Sequence, residues 1–151
     1  RSIVLTKGLD NRPTPMMEAQ SRTQVPVLGE AAGGEPIVSF DQASSYLVMD
    51  KSLLPKKTDK VFAVKVRGDS MIDAGIGNND VVFVQKQQQL KRGDIGVIRV
   101  KDEITVKYYF HEGNKIVLKP ANKQFKPTTI KEDDFKDLKV LGKVISVQHI
   151  L

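Results

Sequence analysis

The chain has 151 residues, 40% of them hydrophobic, which fits one compact domain or a domain with a tail and excludes a wholly disordered protein. It has no cysteine, which excludes disulfide and thiolate chemistry and fits a reducing compartment, and its two histidines, His111 and His149, lack partners at metal-ligand spacing, so neither metal nor cofactor is expected. The net charge of +6 comes from lysines spread along the chain, so it reads equally as attraction for an anionic partner such as nucleic acid or as ordinary solvation. No apolar run approaches the roughly 20 residues that span a bilayer, so a cytoplasmic protein without a membrane partner is expected.

In chain order, residues 1–9, RSIVLTKGL, read as a short strand closed by Gly8. The first residue is not methionine, and the chain is expected to begin inside a longer protein. Residues 10–24 are polar and carry Pro13 and Pro15, a linker composition, so a boundary falls there and a second unit covers 25–151. The alternative is a tail with no domain before it. Val25-Pro26-Val27-Leu28 is apolar with a proline, an edge strand or extended arm. The small-residue segment Glu30 to Pro36 follows, then Ile37-Val38-Ser39-Phe40. Residues 44–50 fit a strand or one helical turn, and Pro55 to Lys60 a loop.

From Val61 the pattern is strand after strand: Val61 to Val66, Asp80 to Gln85, Ile95 to Val100, and Glu103 to Phe110. Gly113-Asn114 then joins the last of these to Lys115-Ile116-Val117-Leu118, a two-residue hairpin signal. Residues 119–136, with Pro120 and Pro127, read as loop, and Leu138 to Val147 as a long strand interrupted by Gly142. With no long amphipathic helix and no internal repeat, the expected fold is mainly β, a sheet of short twisted strands.

Three pieces carry chemistry. Arg67-Gly68-Asp69-Ser70-Met71 follows a strand, and a glycine-assisted turn there exposes the Ser70 hydroxyl. The backbone N–H groups of Ser70 and Met71 are candidates to hold a developing oxyanion. A serine needs a base, and a lysine serves only when neutral. Its ordinary pKa is about 10.4, which burial lowers by roughly 3–5 units in the strongest cases. Lys107 lies in the apolar run Ile104 to Phe110. Strict alternation puts it on the face of Thr105 and Tyr109, so its burial must come from other segments, such as the arm of residues 25–40. Taken singly, Ser70 also reads as a capping residue and Lys107 as a solvated or snorkelling side chain. The third piece, Ala31-Ala32-Gly33-Gly34, is small enough for its backbone to enter a narrow active site, but taken singly it reads more readily as a flexible turn.

Together, VPVLG, AAGGEP, VRGDSM, NNDVVFV, RGDIGVIRV, EITVKYY and VLGKVISV stand in an order that resembles the LexA family of self-cleaving repressors, with their UmuD-like and phage-repressor relatives. The resemblance runs from about Val25 to the C-terminus. It implies a mainly β catalytic domain with a signal-peptidase-like twisted sheet and an extended cleavage-site arm. It also implies a serine endopeptidase with a Ser–Lys dyad, Ser70 as nucleophile and Lys107 as general base, followed by Met71. The implied scissile bond is Ala32–Gly33 on residue type, or Gly33–Gly34 when Val25-Pro26 to Glu35-Pro36 is aligned without gaps.

Residues 1–9 resemble the wing of a winged helix-turn-helix domain whose recognition helix is absent, so operator DNA would be read by a missing N-terminal domain. The implied partners are a RecA filament on single-stranded DNA, which favours self-cleavage, and a second copy in a homodimer, with residues 138–148 as the candidate contact. A LexA-like repressor of the SOS response is therefore expected. A phage repressor, a UmuD-like polymerase accessory subunit and, in another class, a non-catalytic basic β-module are the alternatives.

Overall fold

The computed structural model describes residues 21–28, 45–54 and 60–149. The expectations for the wing at 1–9, most of the linker and the cleavage segment Ala32, Gly33 and Gly34 lie outside the described residues. The described strands are β1 (Arg22–Leu28), β2 (Ser45–Asp50), β3 (Val61–Lys65), β4 (Val81–Lys86), β5 (Ile95–Val100), β6 (Glu103–Glu112), β7 (Lys115–Lys119), β8 (Thr128–Lys131) and β9 (Leu138–Gln148). They form one nine-stranded sheet in the order β2-β1-β3-β4-β9-β5-β6-β7-β8. The β1–β3 pair is parallel, and the other ladders are antiparallel. The fold is mainly β, as the alternation of the sequence predicts.

The centre of the sheet is covered on both sides. Val61 to Val64 in β3 and Val81 to Val84 in β4 are buried without a break. A strand with one wet face alternates; a continuous apolar run needs cover on both faces. Phe62, Val64, Val82 and Val84 join Val97, Val106, Met71 and Ile76 in one cluster. The opposite side chains Val61, Ala63, Val81 and Phe83 pack with Val25 of β1. A third cluster, with Ile98, Tyr109, Ile116, Leu118 and Ile130, sits under the β5–β8 half.

β9 ties the two halves together. Its second half pairs with β4 and its first half with β5, with a register shift in each ladder. Such irregularities sharpen the local twist. Gly142 does not interrupt the strand. It lies where β9 crosses β4, and a Cβ there would strike the Gln85 carbonyl oxygen and Val84 Cγ1.

Two boundaries differ from the sequence expectation. β1 starts at Arg22, inside the stretch read as linker, because Arg22 to Gln24 pair with Asp50 to Val48 of β2. Residues 119–136 are not all loop: Thr128–Lys131 is an edge strand on β7 that buries Ile130, and Glu132–Asp137 is a 3-10 helix. Pro127 marks the start of that strand, where β-branched Thr128, Thr129 and Ile130 suit a pleated edge.

Candidate active site

After β3 the chain turns back through Arg67–Met71. Gly68 makes the turn with φ +83°, a left-handed conformation that strains other L-residues; the space around it is open, so the requirement is conformational. The turn is pinned on both sides. Val66 N–H donates to the Asp80 carbonyl at 2.7 Å, Asn79 N–H to the Val66 carbonyl at 2.8 Å, and Gly68 N–H to Asn78 Oδ1 at 2.7 Å. Met71 is 1% exposed and anchors the far side of the turn in the core cluster. A 3-10 helix, Ile72–Ala74, follows and ends at Gly75. Ser70 is thus held half-buried between a glycine hinge and a core methionine.

Lys107 comes from the middle of β6. Its Nζ donates to Ser70 Oγ at 2.9 Å, to Thr105 Oγ1 at 2.8 Å and to the Val106 carbonyl at 3.2 Å. The Thr105 contact agrees with alternation, which puts residues 105 and 107 on one face. All three partners are uncharged, so no counter-charge among them offsets the cost of burying an ammonium. Burial accordingly holds the Lys107 pKa below the ordinary lysine value.

The site therefore contains a hydroxyl facing an amine whose neutral form is favoured by its surroundings, the combination that serine activation by lysine requires. Ser70, Lys107 and Met71 are brought together by residues far apart in the chain. Ala32, Gly33 and Gly34, the expected cleavage segment, lie outside the described residues.

The Peptidase S24-like family matches residues 26–145, most of the chain. The chain belongs to this family. Within it, the chain is similar to LexA repressors. It is 39% identical to that of Caldicellulosiruptor saccharolyticus over 82% of this chain and 58% of that protein. It is 35% identical to that of Myxococcus xanthus, over 100% of this chain and 69% of that protein. With the repressor of Sorangium cellulosum it shares 37% identity, over 97% of this chain and 63% of that protein. The chain thus spans about 58–69% of the length of these relatives.

Sequence reasoning did not find the parts around the Ser70–Lys107 pair. Thr105 was visible as a same-face neighbour of Lys107, but not as its hydrogen-bond partner. Ala121 and Asn122 sit in a stretch read as loop, yet bond directly to the serine turn. Asp80 is buried at 6% exposure, and its Oδ2 receives the Gly77 N–H and lies 2.7 Å from His149 Nδ1, tying the end of β9 to the loop that braces the turn. No local pattern announces that pair, because its partners are 69 residues apart.

Proposed function

We propose that the chain is the self-cleaving part of a LexA-like repressor of the SOS DNA-damage response, a serine endopeptidase acting on its own backbone. The observation that carries this is the 2.9 Å approach of Lys107 Nζ to Ser70 Oγ. A neutral Lys107 has two N–H bonds and one lone pair. Thr105 Oγ1 and the Val106 carbonyl are placed to take the two N–H bonds. The lone pair then faces the Ser70 hydroxyl.

In the proposed reaction, Lys107 takes the Ser70 proton as Oγ attacks the carbonyl carbon of Ala32, or of Gly33 in the other register. The tetrahedral oxyanion is held by the N–H groups of Ser70 and Met71. Lys107 returns the proton to the departing amine of Gly33, or Gly34, leaving an acyl ester on Ser70. Lys107 then takes a proton from a water that attacks the ester and passes it to Ser70 Oγ as the ester bond breaks, which releases a carboxylic acid that ionises and restores the hydroxyl and the neutral amine.

The proposed regulation follows the relatives' name as repressors. A RecA filament on single-stranded DNA favours the cleavable state. Cutting separates an N-terminal operator-binding domain from the dimerising domain and removes the avidity of two linked half-sites. Support for a homodimer comes from β9: the β5 ladder ends at Lys143, so Val144 to Gln148 have β4 on one edge and no strand on the other among the described residues. Exposed Ile145 lies on that stretch.

Incubation at alkaline pH followed by intact-mass measurement tests the reading. Two fragments are expected, their masses deciding between Ala32–Gly33 and Gly33–Gly34. Ser70→Ala and Lys107→Ala should each abolish them. Cutting at the same bond by Ser70→Ala would overturn the assignment of the nucleophile.

A further inference from the structure

The loop after β7 bonds to the turn that carries Ser70, and its bonds go to two particular carbonyls. Asn122 Nδ2 donates to the Asp69 carbonyl at 2.9 Å, and Ala121 N–H donates to the Ser70 carbonyl at 2.8 Å. The contact is returned once, by Asp73 N–H to the Ala121 carbonyl at 2.8 Å. The orientation of the Asn122 amide is itself fixed, because its Oδ1 accepts the Gln124 N–H at 2.9 Å.

A trans peptide is planar, and its N–H points opposite to its C=O. The Asp69 carbonyl shares a plane with the Ser70 N–H, and the Ser70 carbonyl with the Met71 N–H. The Asp69 carbonyl, which also accepts the Ile72 N–H at 3.2 Å, and the Ser70 carbonyl are held by these bonds, and each keeps its peptide N–H pointing the opposite way. Neither N–H has an acceptor among the described residues. Two unused donors beside a hydroxyl are what an oxyanion requires, and their value depends on being aimed before the charge develops.

We propose that Asn122 is a positioning residue for this peptidase, aiming the Ser70 N–H at the oxyanion through the Asp69 carbonyl while the Ala121 N–H aims that of Met71. The inference rests on the Ser70–Lys107 reading of the site. Asn122 touches neither Ser70 Oγ nor Lys107, so it acts on the stability of the tetrahedral state and not on the basicity of the lysine.

The test is alkaline self-cleavage of the full chain carrying Asn122→Ala or Asn122→Asp, followed across pH. The aspartate is isosteric and still accepts from Gln124, but cannot donate to the Asp69 carbonyl. Both variants should cut about 10- to 100-fold more slowly on the alkaline plateau, a fraction of what loss of a whole oxyanion donor costs. In Asn122→Ala the pH midpoint should stay at the wild-type value, whereas the carboxylate of Asn122→Asp, ionised throughout, favours the charged lysine and shifts the midpoint upward. A plateau rate equal to wild type in Asn122→Asp overturns the proposal. So does a midpoint that moves with the rate in Asn122→Ala, since that marks a general disturbance of the lysine site. Should Asn122→Ala fail to fold, Asn122→Asp decides. Ser70→Ala separates the two levels: if it still cuts, the dyad reading fails; if it is inert while Asn122→Asp is unimpaired, only the positioning role fails.

Discussion

Thr105 Oγ1 and Lys107 Nζ are 2.8 Å apart, side by side on one face of β6. Thr105 therefore belongs to the same hydrogen-bonded set as Ser70, and its hydroxyl holds the amine in place. Thr105→Val keeps the shape of the side chain and removes this partner. The charged amine loses an acceptor, so the midpoint of the pH–rate curve should move to lower pH. The neutral amine loses its orientation, so the plateau rate should fall, by about tenfold for a misplaced proton acceptor. Thr105→Ser should restore both. Fragment formation measured across pH for the three proteins checks this; a Thr105→Val curve that overlays wild type removes Thr105 from the site.

Burial depresses the Lys107 pKa, and the rate should carry its signature. Below that pKa the neutral fraction grows tenfold per pH unit, so self-cleavage should rise with a slope near one on a logarithmic scale. It should level off at a pH below the ordinary lysine value of about 10.4. A rate still climbing with unit slope past that value would mean that Lys107 is an unperturbed surface amine.

The same burial has a consequence for stability. Between the lowered folded pKa of Lys107 and about 10.4 the unfolded chain binds more protons, so folding stability rises with pH across that window. Below the window the cost of holding the ammonium is present in full. Lys107→Met removes it, and the variant should unfold at higher urea than wild type near neutral pH. The difference should shrink as pH approaches 10.4. Urea midpoints at neutral and alkaline pH, compared in the non-cleaving Ser70→Ala background, decide it. A methionine variant less stable than its parent at neutral pH would show that the two hydrogen bonds left in that background, to Thr105 and to the Val106 carbonyl, outweigh the desolvation.

What could be read in the sequence divides along the distance between interacting residues. Val61 to Val66 and Glu103 to Phe110 announce strands because short apolar runs rich in β-branched and aromatic residues are local properties. Ser70 is legible through the glycine next to its turn, and Lys107 through its apolar neighbours. The 128–131 strand was missed because it is short, polar on its open side, and stabilised by a ladder to β7. Asn122 is invisible for a related reason: an asparagine two residues after a proline reads as a turn residue, and only the return of the chain to Asp69, 53 residues away, gives its amide a task. The join between the sheet halves at β9 likewise depends on registers that no single segment contains.

Gly142 tests that join. A strand glycine is often dispensable, and replacing it with alanine usually improves local propensity. Here the added methyl would meet the Gln85 carbonyl oxygen, a backbone atom held in the β4–β9 ladder, together with Val84 Cγ1. The side chain could give, but the carbonyl cannot move without breaking pairing between the two halves of the sheet. Gly142→Ala should therefore destabilise the fold by about 1–3 kcal/mol, the range for overpacking a close-packed site. By contrast, the Cβ of Gly96→Ala would meet chiefly the end of the flexible Leu90 side chain. That variant should lose less. Urea unfolding of both, again with Ser70→Ala to prevent cleavage, measures the difference. Equal stability of Gly142→Ala and its parent would mean that β9 can separate from β4 at this crossing without cost.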